Sequence, residues 1–134
     1  MFQTTAIVKY QSGPKAVAVI DQNISDYYRS LIPKYYYPNP QLYQAHITIV
    51  RTKKEVPANL DLWGKHEGRK ILIDYDPYIY YVQPYFYLNA QSNEIGDIRE
   101  ELGLPRFRDD RAFGGVLRYE YHITIANTKQ NGIK

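Results

Sequence analysis

The sequence predicts an α+β fold with antiparallel sheets, on three observations. Short runs rich in β-branched and aromatic residues recur along the chain, separated by Gly, Pro and Asn turn signals. Only two clear stretches, starting near Asn23 and Asn93, carry apolar residues at helical spacing. The strands alternate apolar with polar side chains, the pattern of a sheet with one face covered and one face open.

Residues 2–10 read as the first strand, Ser12-Gly13-Pro14 as a turn, and 15–20 as the second strand of a hairpin. Asn23 is placed to cap a helix reaching Ile32, with Ile24, Tyr27, Tyr28 and Leu31 on one side and Pro33 as its stop. Residues 42–51 form the next strand. Alternation puts Ala45, Ile47 and Ile49 on one face and His46, Thr48 and Val50 on the other. A polar linker over 52–59 leads to a helical turn or loop around 60–66. Strands follow over 69–75, 78–82 and 85–89, broken at Asp76-Pro77 and Pro84. Ser92 or Asn93 opens a helix with Ile95, Ile98 and Leu102 in phase, ended by Gly103 and Pro105. After a charged loop, residues 116–126 form the last strand. Tyr121, Ile123 and Ile125 lie on one face, with His122, Thr124 and Ala126 on the other.

The 134 residues, 44% of them hydrophobic, are enough for one domain spanning 1–134 and too few for two independent ones. Two small lobes sharing a cleft fit the same length. The lack of cysteine excludes disulfides, a thiolate nucleophile and Cys-ligated metals. Met1 to Tyr10 lacks a signal-peptide core, and no stretch approaches the roughly 18 apolar residues of a membrane span. A soluble, cytoplasmic protein with no membrane partner is the expectation. The net charge of +3 suits a small polyanion, but the scattered Lys and Arg are too weak a track for long RNA or a DNA duplex. The 15 tyrosines suit core filling and base stacking alike.

The same four residues, His-Ile-Thr-Ile, occur at 46–49 and at 122–125, each in a predicted strand. A lone strand histidine is most often a satisfied core or surface residue, and threonine is simply a good strand former. The repeat is what weighs against accident. Histidine and threonine two residues apart project from one face, about 6–7 Å apart. Two imidazoles supply a base and an acid near neutral pH, and two hydroxyls can donate to phosphoryl oxygens, a set suited to phosphodiester cleavage. No cofactor is needed, and the sequence offers no histidine–carboxylate cluster at ligand spacing for a metal.

With His46-Ile47-Thr48-Ile49 and His122-Ile123-Thr124-Ile125 in that order, the chain resembles the 2H phosphoesterase superfamily, the RNA ligase T-like or cyclic phosphodiesterase group. The order of the linker bearing Trp63, the GRKILIDYDP strand, an aromatic strand and IREELGLP between the two motifs is similar to the phage anti-CBASS phosphodiesterases. The resemblance implies a single bilobal domain with antiparallel sheets around a central cleft and helices on the outer faces. It implies metal-independent opening of 3′–5′ linkages in cyclic di- and trinucleotide messengers of bacterial antiphage signalling. His46 and His122 would be the acid–base pair, and Thr48 and Thr124 would bind phosphate. Tyr10 is the matching candidate for holding a base.

Four residues are candidates for substrate contact: Tyr10, Trp63, Arg118 and Glu120. Trp63 serves either as a stacking surface or as a plug over the sheet. Arg118 and Glu120 share parity with His122, so they line the cleft or its rim. His66 lies in a polar loop without threonine at +2 and reads as a surface histidine. The partner is a cyclic oligonucleotide or a short RNA bearing a 2′,3′-cyclic phosphate or 2′–5′ linkage, and the protein is expected to act as a monomer. A module that holds the ligand without cutting it and a structural protein with a tyrosine-rich interface are the rival classes.

Overall fold

The computed structural model describes residues 1–107 and 121–129. Strands β1 (Phe2–Gln11) and β2 (Lys15–Val19) form the expected hairpin, and β3 (His46–Val50) adds antiparallel to β2. Across the hairpin's other edge, β4 (Lys70–Tyr75) pairs antiparallel with β1. The strands β5 (Tyr80–Val82), β6 (Tyr85–Gln91) and β7 (Tyr121–Asn127) complete the sheet. β7 occupies one edge of β6 over its length, so β4 and β5 follow one another along the opposite edge. The main path is therefore β3-β2-β1-β4-β6-β7, and each of these pairings is antiparallel. The two end strands, β3 and β7, lie against each other, so the sheet comes close to a barrel.

Two helices cover one face. In α1 (Gln22–Ser30) the cap is Asp21 rather than Asn23: the Asp21 carboxylate accepts the Asn23 backbone N–H at 2.9 Å. In α2 (Asn93–Glu101) the Ser92 hydroxyl accepts the Ile95 N–H at 3.2 Å. Between helices and sheet lie Ile47, Ile49, Ile71, Ile73, Leu88, Ile95, Ile98, Ile123 and Ile125, all but excluded from water. No described helix is long and apolar enough to cross a membrane. The tyrosines are not mainly core filling. Seven are exposed (Tyr27, Tyr35, Tyr36, Tyr37, Tyr43, Tyr78 and Tyr81), against four buried ones among the described residues.

With the short β5 set aside, the chain order strand–strand–helix–strand occurs twice among the described residues, as β1-β2-α1-β3 and as β4-β6-α2-β7. In each set the last strand pairs with the second, and the first strands of the two sets, β1 and β4, join them. The match extends to an irregularity. Val17 pairs with Thr48 but Ala16 with Val50, and Tyr87 pairs with Thr124 but Phe86 with Ala126. Each His-Ile-Thr-Ile strand thus carries a one-residue bulge at its final isoleucine, Ile49 or Ile125. A bulge resets the alternation. Val50 and Ala126, expected to share a face with the histidines, are instead fully buried opposite the core residues Ala16 and Phe86.

The helices then cross over. α1 packs against β7 and α2 against β3, each on the strand of the other set. Side chains make the same exchange. Arg99 of α2 donates to the Ile49 carbonyl at 2.6 Å, and Ser25 of α1 donates to the Ile125 carbonyl at 3.5 Å. Both acceptors are carbonyls of the bulged residues, where the ladder is disturbed and a buried acceptor needs another partner.

Candidate active site

Tracing the register across the sheet fixes which side chains share a face. His46 pairs with Val19, Val19 with Ile7, and Ile7 with Lys70. Asp74, of the same parity as Lys70, pairs with Gln91; Asn89, two residues before Gln91, pairs with His122. His46, Thr48, His122 and Thr124 therefore lie on one face of the sheet, away from α1 and α2. All four are half-buried, while the isoleucines between and after them are completely buried. Strict alternation of polar and apolar residues up to the bulge produces this split, and the end strands β3 and β7 bring the two motifs to neighbouring positions.

The start of β3 is pinned. Gln22 of α1 accepts the Ala45 N–H at 2.7 Å, and Ile20 donates its N–H to the Ala45 carbonyl at 3.0 Å. His46 follows at once, its Nδ1 lying 2.7 Å from the Gln44 carbonyl. A carbonyl only accepts, so Nδ1 carries a proton and the neutral ring has its lone pair on Nε2. The local backbone thereby fixes both tautomer and ring orientation.

The second histidine has an aromatic setting. The His122 ring meets Tyr87 edge-on at 5.6 Å, Tyr87 stacks on Tyr80 at 5.6 Å, and Tyr80 lies 4.7 Å from Tyr78. This ladder runs from the buried Tyr87 to the exposed Tyr78. Asn89, a buried polar residue beside His122 in register, hydrogen-bonds Tyr80. Burial raises the Tyr80 phenol above its ordinary pKa, and the Asp76 carboxylate, 3.4 Å from its hydroxyl, adds to the shift. Tyr80 stays protonated as a donor.

Of the four substrate-contact candidates, Tyr10 and Trp63 are brought to each other and not to the histidines. Tyr10 pairs with Ala16 on the core face, and its ring meets Trp63 edge-on at 5.0 Å, both packed on the core. Regular alternation in β1 sends Lys9, not Tyr10, to the histidine face. Arg118 and Glu120 lie outside the described residues. His66 is more than a loose surface histidine. Its Nδ1 accepts from Arg69 at 3.2 Å and its Nε2 donates to Glu101 at 3.1 Å, bracing the loop against α2.

The sequence reading missed Lys9, Lys15, Tyr43 and Gln44 around His46, and Tyr80, Tyr87 and Asn89 around His122. The parity of Lys9 in β1 was legible. So was Asn89, a polar residue following the aromatic and apolar run Tyr85–Leu88. What alternation alone does not supply is which strands are neighbours. No family model, no curated protein and no solved structure matches the chain.

Proposed function

We propose that this protein is a two-histidine, metal-independent phosphodiesterase acting on cyclic di- or trinucleotide messengers, and that it thereby counters nucleotide-signalled antiphage defence. The single observation supporting this most is the pair of His-Ile-Thr-Ile strands, side by side at the two ends of one curled sheet with histidine and threonine on the same face. On this reading the two strand sets are the two lobes, and the cleft lies over β3 and β7.

The chemistry follows from the groups present. A neutral imidazole takes the proton from a ribose 2′-hydroxyl as its oxygen bonds to phosphorus. The P–O5′ bond breaks, and the second imidazole, protonated, gives its proton to that leaving oxygen. The product is linear, with a 2′,3′-cyclic phosphate at one end and a 5′-hydroxyl at the other. With Nδ1 engaged by the Gln44 carbonyl, His46 would work through Nε2 in either role. Thr48 and Thr124 would donate to the non-bridging oxygens as charge gathers there.

The test uses purified protein in EDTA with a 3′,3′-linked cyclic dinucleotide and, separately, an RNA ending in a 2′,3′-cyclic phosphate. Wild type should linearise the dinucleotide, and His46→Ala and His122→Ala should each be slower by about 10²-fold or more. Turnover of the RNA end alone would keep the mechanism and replace the substrate. Tight binding without cleavage would make the protein a sequestering module.

A further inference from the structure

Beside His46 lies a hollow of about 420 Å³. Val17 and Val19 of β2 form its floor, Lys9 and Lys15 rise from it, and Tyr43 stands at its margin. Lys9 and Thr48 both pair with Val17, from opposite sides. At about 4.8 Å between strands, their backbones are about 10 Å apart, a gap that a lysine side chain largely spans. Lys15 holds its ammonium 5.6 Å above the Tyr43 ring, which restrains it at the margin without neutralising it.

Among the described residues, nothing compensates the charge here. Arg29, Arg51, Arg69, Arg99 and Arg106 each meet a carboxylate. Among the described residues, Lys9 and Lys15 form no ion pair and no carboxylate lines the hollow. Two ammonium groups over an apolar floor suit a phosphate carried by a ribose or base, with Gln11 and Gln44 as further polar groups at the wall.

We propose that this hollow is a second anion subsite, taking a phosphate other than the one being cut. The proposal rests on the phosphodiesterase reading and narrows its substrate class. It favours ligands with at least two phosphates, such as cyclic oligonucleotides, over a mononucleoside cyclic phosphate.

Calorimetric titration separates the two ideas. Guanosine 3′,5′-bisphosphate and guanosine 3′-monophosphate are titrated into wild type and into the Lys9→Gln, Lys15→Gln double variant, in low salt with EDTA. Wild type should prefer the bisphosphate by about tenfold or more, the scale of one charge-assisted contact. The double variant should lose that preference while still binding the monophosphate. A preference that survives in the double variant, or is absent from wild type, overturns the subsite. Failure of the cleavage reading looks different: no diester is cut, yet the preference for the bisphosphate remains.

Discussion

At the residue scale, Thr48 and Thr124 are the sharpest probes of the chemistry, because valine copies their shape and removes only the hydroxyl. Under the proposed chemistry, Thr48→Val and Thr124→Val should each slow cleavage by about 10²–10³-fold, the range for loss of one donor to a developing oxyanion. Serine at either position should restore most of the rate, measured by single-turnover cleavage of a cyclic dinucleotide. That these two threonines and their histidines form a matched set was legible because one short string occurs twice, and no packing knowledge is needed to see it. Tyr10 and Trp63 were named without that help. Their edge-on contact on the core face reflects the parity of β1, which sends the neighbouring Lys9 to the histidines. The resemblance that suggested Tyr10 said nothing about which face its side chain would take.

At the element scale, the junction of α2 with β3 depends on Arg99, which is fully buried. Its guanidinium donates to the carbonyls of Ile49 and Pro105 and to both oxygens of Glu55, the nearer Glu55 oxygen at 2.7 Å. Arg99→Met should destabilise by about 3–5 kcal/mol, the cost of stranding one partner of a buried pair, read from urea unfolding. Burial alone would raise the Glu55 pKa. The hydrogen bonds from Arg99 and from the Arg51 N–H, with the charges of both arginines, outweigh it and hold the carboxyl below its ordinary 4.5. A carboxylate depressed in the folded state adds stability above its unfolded pKa, and that stability is lost as pH falls through the folded value. The melting temperature of wild type should therefore drop as pH falls below about 4.5, and Glu55→Gln should drop less over the same window. The α2 helix itself was legible from Ile95, Ile98 and Leu102. Arg99 was not, since an arginine in a polar helix face reads as solvated until a disturbed carbonyl is set beneath it. The burial of Val50 and Ala126 escaped for the related reason that alternation holds only as far as the bulge.

At the scale of the whole molecule, the crossing of α1 onto β7 and α2 onto β3 leaves neither strand set with a core of its own. Unfolding should be a single transition. Trp63 is the only tryptophan, and it sits between the two sets in the chain, packed on Tyr10. Its fluorescence and the far-ultraviolet circular dichroism should give the same midpoint in urea, whereas separate midpoints would show the sets unfolding independently. The α+β class and most strand positions were legible from alternation and turn residues. The near-closure of one sheet was not, because it depends on pairings between β1 and β4 and between β6 and β7, set far apart in the chain. The matched topology has a last consequence. Exchanging the two strand sets exchanges the two histidines, so under the proposed chemistry the frame would not distinguish proton donor from acceptor. That distinction is left to the linings, valines and lysines beside His46 and tyrosines and Asn89 beside His122. If the proposed site binds as described, a ligand with unlike ends would have one correct way to land there. A ring of two identical nucleotides, the proposed substrate class, would have two equivalent landings and so lose fewer encounters to misorientation.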